Sequence, residues 1–378
     1  MARLGDVGLI ITGRTPSTGD SKNFASNDIC FIKPSDIRDN ELTDLFNSEY
    51  YISEYARSQT RIVPPGSVLV TCIGIVGKVA INTLECAFNQ QINAIIPNKL
   101  KCDCRYLAYA LLYEKPRLQN ASNAPVVPIL NKSQFSEIEI PLPLLDEQRK
   151  IAAVLDKVSD LIAKRRQQLD KLDTLMKARF VEMFGDPISN PYGYRQAKLA
   201  DVADYFNGLT YKPENVSDEG IIVLRSSNIQ SCQLDFADTV RVSCKVKDRF
   251  MVQENDILMC SRNGSARLVG KVALIKNQQE PMSFGAFMMI IRSRYYSYLM
   301  TYFQMDAFRQ QIKTGATTTI NQITGKMLDD VTIPLPPMML VEQFASFIEQ
   351  TNKSKLSIQK SCEKLETLKK SLMQHYFG

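Results

Sequence analysis

The sequence predicts an α+β fold in which two tandem-repeated globular α/β modules are separated by a pair of long antiparallel coiled-coil helices. Two observations support this prediction. Short motifs recur about 193 residues apart in a chain of 378 residues, and each copy ends in a long segment that lacks proline and glycine. Motifs that recur at one offset indicate repeated structural units, and apolar residues three or four positions apart indicate a helix.

The repeated motifs occur in the same order in both halves. Three matches lie 193 residues apart: Val-Gly-Lys-Val-Ala at 76–80 and 269–273, Ile-Pro-Leu-Pro at 140–143 and 333–336, and Phe-Gly at 184–185 and 377–378. Two more lie 195 residues apart: Glu-Gln at 147–148 and 342–343, and Leu-x-Asp-Val at 4–7 and 199–202. We therefore predict a first module at 1–145, a helix at 146–185, a linker and second module at 186–338, and a second helix at 339–378.

Each module is predicted to be rich in strands. Residues 67–73 and 256–260 are short apolar runs next to turn-forming residues, which is typical of strands. Helical spacing at about 104–120 and 297–313 adds shorter helices to each module. The glycines of segment 264–271 resemble a phosphate-binding loop, but their spacing is one residue too long, so we predict tight turns there.

The long helices are predicted to pack on each other. Their apolar residues recur at spacings of three, four and seven, as in coiled coils. In the first helix the stripe consists of Leu155, Val158, Ile162, Leu169, Leu172, Met176 and Met183. In the second it consists of Phe344, Ile348, Thr351, Ile358, Cys362, Leu365, Leu368 and Leu372. A helix of about 38 residues is about 57 Å long, the length of about 17 base pairs, so an antiparallel pair would act as a ruler.

Composition excludes several classes of protein. The chain has nine scattered cysteines and a single histidine, His375, so a histidine-based catalytic triad or metal site is not expected. The longest apolar runs are too short for a membrane span, and the first residues do not resemble a signal peptide, so we expect a cytoplasmic protein. The net charge of +6 lies mostly in segments 147–184 and 342–377, which carry +3 and +2.

Polar loops in both modules are the candidate DNA-contact segments. Arginine can pair with guanine, amide side chains can pair with adenine, and hydroxyl groups can hold phosphates. Module one contributes Arg14, Thr15, Lys33, Ser35, Asp36, Arg38, Lys78, Asn89, Gln90 and Gln91. Module two contributes Thr210, Tyr211, Lys212, Arg225, Ser226, Ser227, Asn228, Arg262, Asn263, Ser265, Arg267, Lys271 and Thr318. The apolar residues that flank segments 33–36 and 225–228 match while the middle differs, which predicts one scaffold that reads two sequences.

The whole chain resembles the specificity subunit of type I restriction-modification systems. The resemblance is carried by Ile-Pro-Leu-Pro leading into Glu-Gln and a long helix in both halves, and by Phe-Gly-Asp-Pro at 184–187. It implies two target recognition domains, each reading one half of a split double-stranded DNA site, and a helix pair that sets the spacer. It also implies two modification (methyltransferase) subunits docked on the helices, and restriction subunits that join them. S-adenosylmethionine, ATP and magnesium would belong to those partners, and this chain would hold no cofactor, metal or catalytic residue.

Three alternatives stay open at this point. The chain could be a stand-alone DNA-modifying enzyme, although no cofactor or metal motif supports that class. It could be a pure coiled-coil interaction scaffold. Its long helices could also be unrelated surface helices, each packed on its own module. One departure from symmetry bears on the helix pairing, since Lys355 and Lys369 stand where the first helix has Ile162 and Met176.

Overall fold

The computed structural model describes residues 1–122, 127–312 and 321–378. The chain forms two compact units, of which unit 1 comprises Met1–Gln167 and Gln359–Gly378 and unit 2 comprises Gln168–Ile358. Each unit therefore contains one module together with a segment of both long helices. These helices, α5 (Leu145–Phe184) and α9 (Met338–Phe377), have 40 residues each.

Unit 1 is built around a five-stranded sheet in the order β2-β10-β7-β8-β4 and a four-stranded sheet in the order β5-β3-β9-β6. Its strands are β1 (Ala2–Arg3), β2 (Gly8–Thr12), β3 (Ile29–Ile32), β4 (Leu42–Leu45), β5 (Tyr51–Ile52), β6 (Ile62–Val63), β7 (Val68–Thr71), β8 (Val79–Asn82), β9 (Cys86–Phe88), β10 (Ile92–Pro97) and β11 (Glu139–Ile140). Its short helices are α1 (Leu4–Val7), α2 (Cys104–Tyr113), α3 (Lys115–Ala121) and α4 (Lys132–Ser136). Strands β7 and β8 are buried throughout, which explains why the first three residues of each are apolar.

Unit 2 repeats this architecture, with sheets in the orders β13-β23-β19-β21 and β14-β18-β15-β22. Its strands are β12 (Gln196–Lys198), β13 (Asp204–Asn207), β14 (Val216–Ser217), β15 (Ile221–Leu224), β16 (Ile229–Gln230), β17 (Gln233–Leu234), β18 (Arg241–Val242), β19 (Ile257–Cys260), β20 (Arg262–Asn263), β21 (Val272–Leu274), β22 (Met282–Phe284), β23 (Met288–Arg292), β24 (Asn321–Gln322) and β25 (Thr332–Pro334). Its short helices are α6 (Tyr296–Tyr302), α7 (Asp306–Gln311) and α8 (Gly325–Asp329).

The tandem repeat predicted from the motifs is confirmed by the strand order. β2-β10-β7-β8 in unit 1 matches β13-β23-β19-β21 in unit 2, with every neighbouring pair antiparallel. Each unit also has one equivalent parallel pair, β3 with β9 and β15 with β22. The glycines of the repeated Val-Gly-Lys-Val-Ala motif make tight turns, as predicted: Gly77 and Gly270 have φ of 88° and 81°, a region that side chains disfavour.

In unit 1 the segments of α5 and α9 run antiparallel and complete the module's core. Leu155 belongs to the same buried cluster as Phe377, whose ring lies 5.3 Å from that of Tyr106 on α2. Farther along the pair, Arg166 contacts Glu366, with 2.9 Å between Nη2 and Oε1. Residue numbers therefore increase along α5 as the numbers of the contacting residues decrease along α9, which is the antiparallel arrangement.

Unit 2 contains the same arrangement with the helices in exchanged roles. Here Phe184, at the end of α5, lies against Tyr298 of α6 at 5.1 Å between ring centres and against Phe344 near the start of α9 at 5.2 Å. Asp173 pairs with the buried Lys355 at 2.6 Å, so that charge is neutralised within the helix pair. Because each long helix contributes to both units, the alternative of two unrelated surface helices is wrong.

One detail of the helix prediction is wrong. The apolar spacing predicts Leu368 on the pairing face, but Leu368 is 47% exposed, while Lys369 next to it is half-buried with its ammonium 5.8 Å from the ring centre of Tyr109. Burial lowers the pKa of Lys369. At this turn α9 therefore directs position 369 toward α2, which leaves position 368 to solvent.

The Glu-Gln motif is also not structurally equivalent in the two copies. Since α5 and α9 begin at Leu145 and Met338, the counterpart of Gln148 is Val341 and not Gln343. Gln148 is fully buried, whereas Gln343 is exposed. The two Glu-Gln motifs, 195 residues apart, therefore have different structural environments.

Candidate nucleic-acid interface

The candidate loops of unit 1 converge on one end of its sheets. The Arg14 amide donates to the Phe88 carbonyl at 3.0 Å, which brings the loop after β2 to the β9–β10 turn. The Thr15 hydroxyl donates to Oε1 of Gln90 in that turn at 2.7 Å. Close approach is possible because Gly13 has no side chain, since a Cβ there would lie 2.1 Å from a backbone oxygen.

The loop after β3 joins this cluster through further hydrogen bonds. The Asn89 amide donates to the Ile32 carbonyl at 3.1 Å, and Nζ of Lys78 donates to the Pro34 carbonyl at 3.0 Å. Lys33 lies over the ring of Tyr50, with 3.1 Å between its ammonium and the ring centre. Ten candidates spread over 78 positions of sequence are thus brought largely into one patch.

Some of these polar side chains are engaged inside the unit. The Asp36 carboxylate accepts backbone amides of Lys33 at 2.7 Å and Glu49 at 3.0 Å. Asn89 is buried and donates to Oε1 of Gln91 at 2.8 Å. Arg38 is exposed and pairs with Glu41. Their contact with DNA stays a prediction.

Other unit 1 candidates present free polar atoms. Arg14 and Ser35 are exposed, and within the described residues their side chains have no hydrogen-bond or ion-pair partner. Gln90 is exposed, and because its oxygen accepts from Thr15 its amide N–H groups are left as donors. These three side chains can reach a ligand without breaking an internal contact.

The loops of unit 2 converge in the equivalent place. The Leu209 amide donates to the Phe284 carbonyl at 2.7 Å, and the Gly285 amide donates to the Leu224 carbonyl at 2.9 Å. Nδ2 of Asn263 reaches the Ser226 hydroxyl at 3.3 Å. The loops after β13, β15, β19 and β22 therefore meet, as their counterparts do in unit 1.

The turn after β15 shows how one frame carries different residues. Asn228 is fully buried and accepts the Arg225 amide at 2.8 Å, which is the bond that Asp36 makes with Lys33. Nη2 of Arg225 contacts both carboxylate oxygens of Asp238 at 2.8 Å. The equivalence predicted for segments 33–36 and 225–228 is confirmed, and both segments form a short 3-10 turn.

The remaining unit 2 candidates differ in exposure. The exposed ones are Thr210, Lys212, Arg262, Ser265 and Arg267, and the half-buried ones are Tyr211, Ser226, Ser227, Asn263 and Lys271. Lys212 pairs with Glu214 at 3.4 Å, whereas Arg267 has no ion-pair partner in the part of the chain that is described. Thr318 lies outside the described residues.

Two features of this surface were missed in the sequence. Phe287, at the β22–β23 turn, is 61% exposed and lies under the Arg262 guanidinium, with 5.5 Å to the ring centre. Tyr50 is 42% exposed beneath Lys33. Tyr50 occurs in polar sequence, whereas Phe287 occurs in an apolar stretch. The signal that could have found both is an aromatic residue that flanks a predicted turn.

A second repeat on the long helices was also missed. Segment 170–177, Asp-Lys-Leu-Asp-Thr-Leu-Met-Lys, matches segment 363–370, Glu-Lys-Leu-Glu-Thr-Leu-Lys-Lys. Within it Leu175 is 48% exposed and its counterpart Leu368 is 47% exposed. One copy lies in each unit. The two copies therefore share an exposed surface as well as half-buried positions.

Burial affects the cysteine thiols. It raises the pKa of Cys72, Cys86 and Cys102 to about 12. Across residues 1–122, 127–312 and 321–378, His, Cys, Asp and Glu form no group that could hold a metal ion. Over the same ranges no helix has both the length and the apolar character needed to cross a membrane.

Comparison with known proteins identifies the family. A family model described as "Type I restriction modification DNA specificity domain" matches residues 1–173 and 191–370. The chain belongs to this family. The resemblance to specificity subunits seen in the sequence is thereby confirmed, and the chain is a non-catalytic DNA-specificity component of a type I restriction-modification system.

Specificity subunits of known systems match nearly the whole chain. That of the MjaIX type I enzyme from Methanocaldococcus jannaschii is 24% identical over 98% of this chain and 90% of its own length. That of EcoKI from Escherichia coli strain K12 is 26% identical over 93% of this chain and 81% of its own length. A crystal structure of a type I S subunit from M. genitalium has a TM-score of 0.60 at 12% identity, covering 100% of this chain and 95% of that one. The specificity-subunit fold is therefore shared at full length.

Proposed function

We propose that each unit reads one half of a split double-stranded DNA site, while the helix pair sets the spacer between the halves and docks two modification (methyltransferase) subunits. The observation that carries the proposal is the equivalent convergence of loops in both units. The loops leave the same strand ends and carry different residues. Two units that share one backbone scaffold but carry different loop residues are suited to reading two different half-sites.

The chemistry of the free side chains supports base and phosphate contact. Unit 1 offers Arg14 and the amide donors of Gln90, whereas unit 2 offers Arg262 and Arg267. Arginine pairs with the acceptor edge of guanine or with phosphate, and a free amide N–H donates to base acceptors in the major groove. Because most of the net charge lies on the long helices, we expect affinity to depend on these few cations and on the partner subunits.

Exchanging the candidate loops of one unit tests whether each unit reads one half of the DNA site. Residues 8–97 span β2 to β10 and the candidate loops, and they leave α2 in place to pack on the long helices. Replacing them with the matching segment of a related subunit should change one half of the methylated site in genomic DNA. Changes in both halves would contradict the proposal. Arg14→Ala and Arg262→Ala test the same point without a chimera, since each should relax one half only.

The repeated helix surface supports docking of two copies of one partner. Segments 170–177 and 363–370 keep an exposed leucine, threonine and lysine at equivalent positions. Recognition loops that read different bases have diverged, whereas surfaces that bind identical partners must stay alike. S-adenosylmethionine, ATP and magnesium would then belong to the modification and restriction subunits.

Single aspartate substitutions can separate the two docking surfaces. Leu175→Asp and Leu368→Asp should each remove one modification subunit from the complex, and the double variant should remove both, as counted by native mass spectrometry. Leu100→Asp is the matched control, because Leu100 is 89% exposed in a loop of unit 1. Full retention of both partners in the double variant would contradict the docking assignment.

A further inference from the structure

The turn between β22 and β23 in unit 2 is equivalent to the turn between β9 and β10 in unit 1. In unit 1 the Cys72 amide donates to the Gln91 carbonyl at 2.7 Å, and in unit 2 the Ser261 amide donates to the Phe287 carbonyl at 3.0 Å. Residues 72 and 261 each follow the matching strands β7 and β19. Gln91 and Phe287 therefore occupy the same position.

The two turns carry opposite chemistry at this position. Unit 1 has Asn89, Gln90 and Gln91, an amide-rich tip, while unit 2 has Gly-Ala-Phe at 285–287. Amide side chains recognise base edges by hydrogen bonds, whereas an aromatic ring offers only an apolar surface. The difference lies inside the loop cluster of each unit, where the proposed readers of DNA lie.

The backbone at Phe287 is held by three hydrogen bonds, although the side chain is exposed. Its carbonyl accepts from the Ser261 amide at 3.0 Å, the Arg262 amide at 3.1 Å and the Ser261 hydroxyl at 3.0 Å. The Arg262 guanidinium lies against the ring, with 5.5 Å between Cζ and the ring centre. Because the backbone at Phe287 is already ordered and the ring already packs on Arg262, contact with a ligand should cost less conformational entropy than contact by a mobile loop.

We infer that Phe287 reads the C5-methyl group of a thymine in the half-site bound by unit 2. This inference rests on the proposed function. The thymine methyl is the one apolar group on the major-groove edge of the base pairs, and phenylalanine is among the side chains suited to contact it. Arg262 lies on the ring, so the contact takes place at a base edge and not by insertion between base pairs.

Removing the methyl group alone tests the inference. The full chain in complex with its modification subunits is titrated with duplexes in which each thymine of the unit 2 half-site is replaced in turn by deoxyuridine, which keeps the base pairing. One replacement should weaken binding about fourfold, the value of one buried methyl group. Phe287→Ala should bind the thymine and deoxyuridine duplexes equally well, and Phe287→Leu should keep part of the difference.

Met339→Ala is the matched control, because Met339 is 65% exposed at the start of α9. It should keep the full dependence on the methyl group. Methyl dependence that persists in Phe287→Ala, or that is absent at every thymine of that half-site, would overturn the inference. Absence of preference for any split site would instead overturn the proposed function, so the two failures differ.

Discussion

Replacing Gln148 should show that the two Glu-Gln motifs have different structural roles. Gln148 is fully buried and makes three hydrogen bonds. Its Nε2 donates to the carbonyls of Lys101 at 2.9 Å and Pro143 at 2.8 Å, and its Oε1 accepts the Asp103 amide at 2.9 Å. Asp103 caps α2, so Gln148 connects the first turn of α5 to the start of α2.

The expected cost of Gln148→Ala follows from the groups that lose partners. One backbone amide and two carbonyls in part-buried positions would lose these hydrogen bonds, and a small cavity would remain. A buried unsatisfied polar group costs roughly 1–3 kcal/mol, and water that enters the cavity offsets part of the sum, so we expect a loss of about 2–4 kcal/mol. In a unit of this size that lowers the midpoint of thermal unfolding by roughly 5–15 °C.

Gln343→Ala is the matched control, since Gln343 is exposed at the second Glu-Gln motif and its replacement should change stability by less than about 0.5 kcal/mol. The chain has no tryptophan, so unfolding is followed by tyrosine fluorescence and far-UV circular dichroism. Hydrogen exchange should show lost protection in α2 of unit 1 and none in α6 of unit 2. Equal effects of the two substitutions would refute the reasoning.

Three further predictions concern reactivity, DNA binding and spacing. Cys72, Cys86 and Cys102 should resist thiol reagents at pH 8 in the native chain and react after denaturation. Burial raises their pKa to about 12, so almost no thiolate is present at pH 8. Labelling of any of the three before unfolding, detected by mass spectrometry of peptides, would contradict this. Arg267→Ala should reduce the slope of log affinity against log salt by about 0.9 without changing the site that is read, if Arg267 contacts one phosphate; an altered site would contradict this role. Adding seven residues to α5 after Gln167 and to α9 after Ile358 should lengthen the tolerated DNA spacer by about 10 Å, or about three base pairs; an unchanged spacer in methylation mapping would contradict the ruler.

The repeat and the long helices could be predicted because both produce regular patterns in the amino-acid sequence itself. The error at Leu368 arose from a competing contact. Apolar spacing favours Leu368 on the pairing face, but α2 supplies Tyr109, and the ammonium of Lys369 lies over its ring. A pattern within one helix cannot report which side a neighbouring helix occupies.

The contact loops could be located from sequence more easily than their roles could be assigned. Asp36 and Asn228 look like ligand-binding side chains, yet each accepts a backbone amide three residues earlier. Asp36 also accepts the amide of Glu49, a partner 13 residues away that no local pattern reveals. Phe287 was overlooked for the opposite reason, because an aromatic residue is expected in a core and this one is exposed.

Unit 1 is formed by two segments that lie far apart in the sequence, and this affects when it can fold during synthesis on the ribosome. Its core includes Met373 and Phe377, so it cannot close until residues made after all of unit 2 have left the exit tunnel. Unit 2, which lies within Gln168–Ile358, has its full set of residues earlier. Domains usually fold from the N-terminus onward during synthesis. Here most of unit 1 is synthesised first, and its apolar core surface stays exposed until Met373 and Phe377 are available. We therefore expect unit 1 to depend on a chaperone more than unit 2 does.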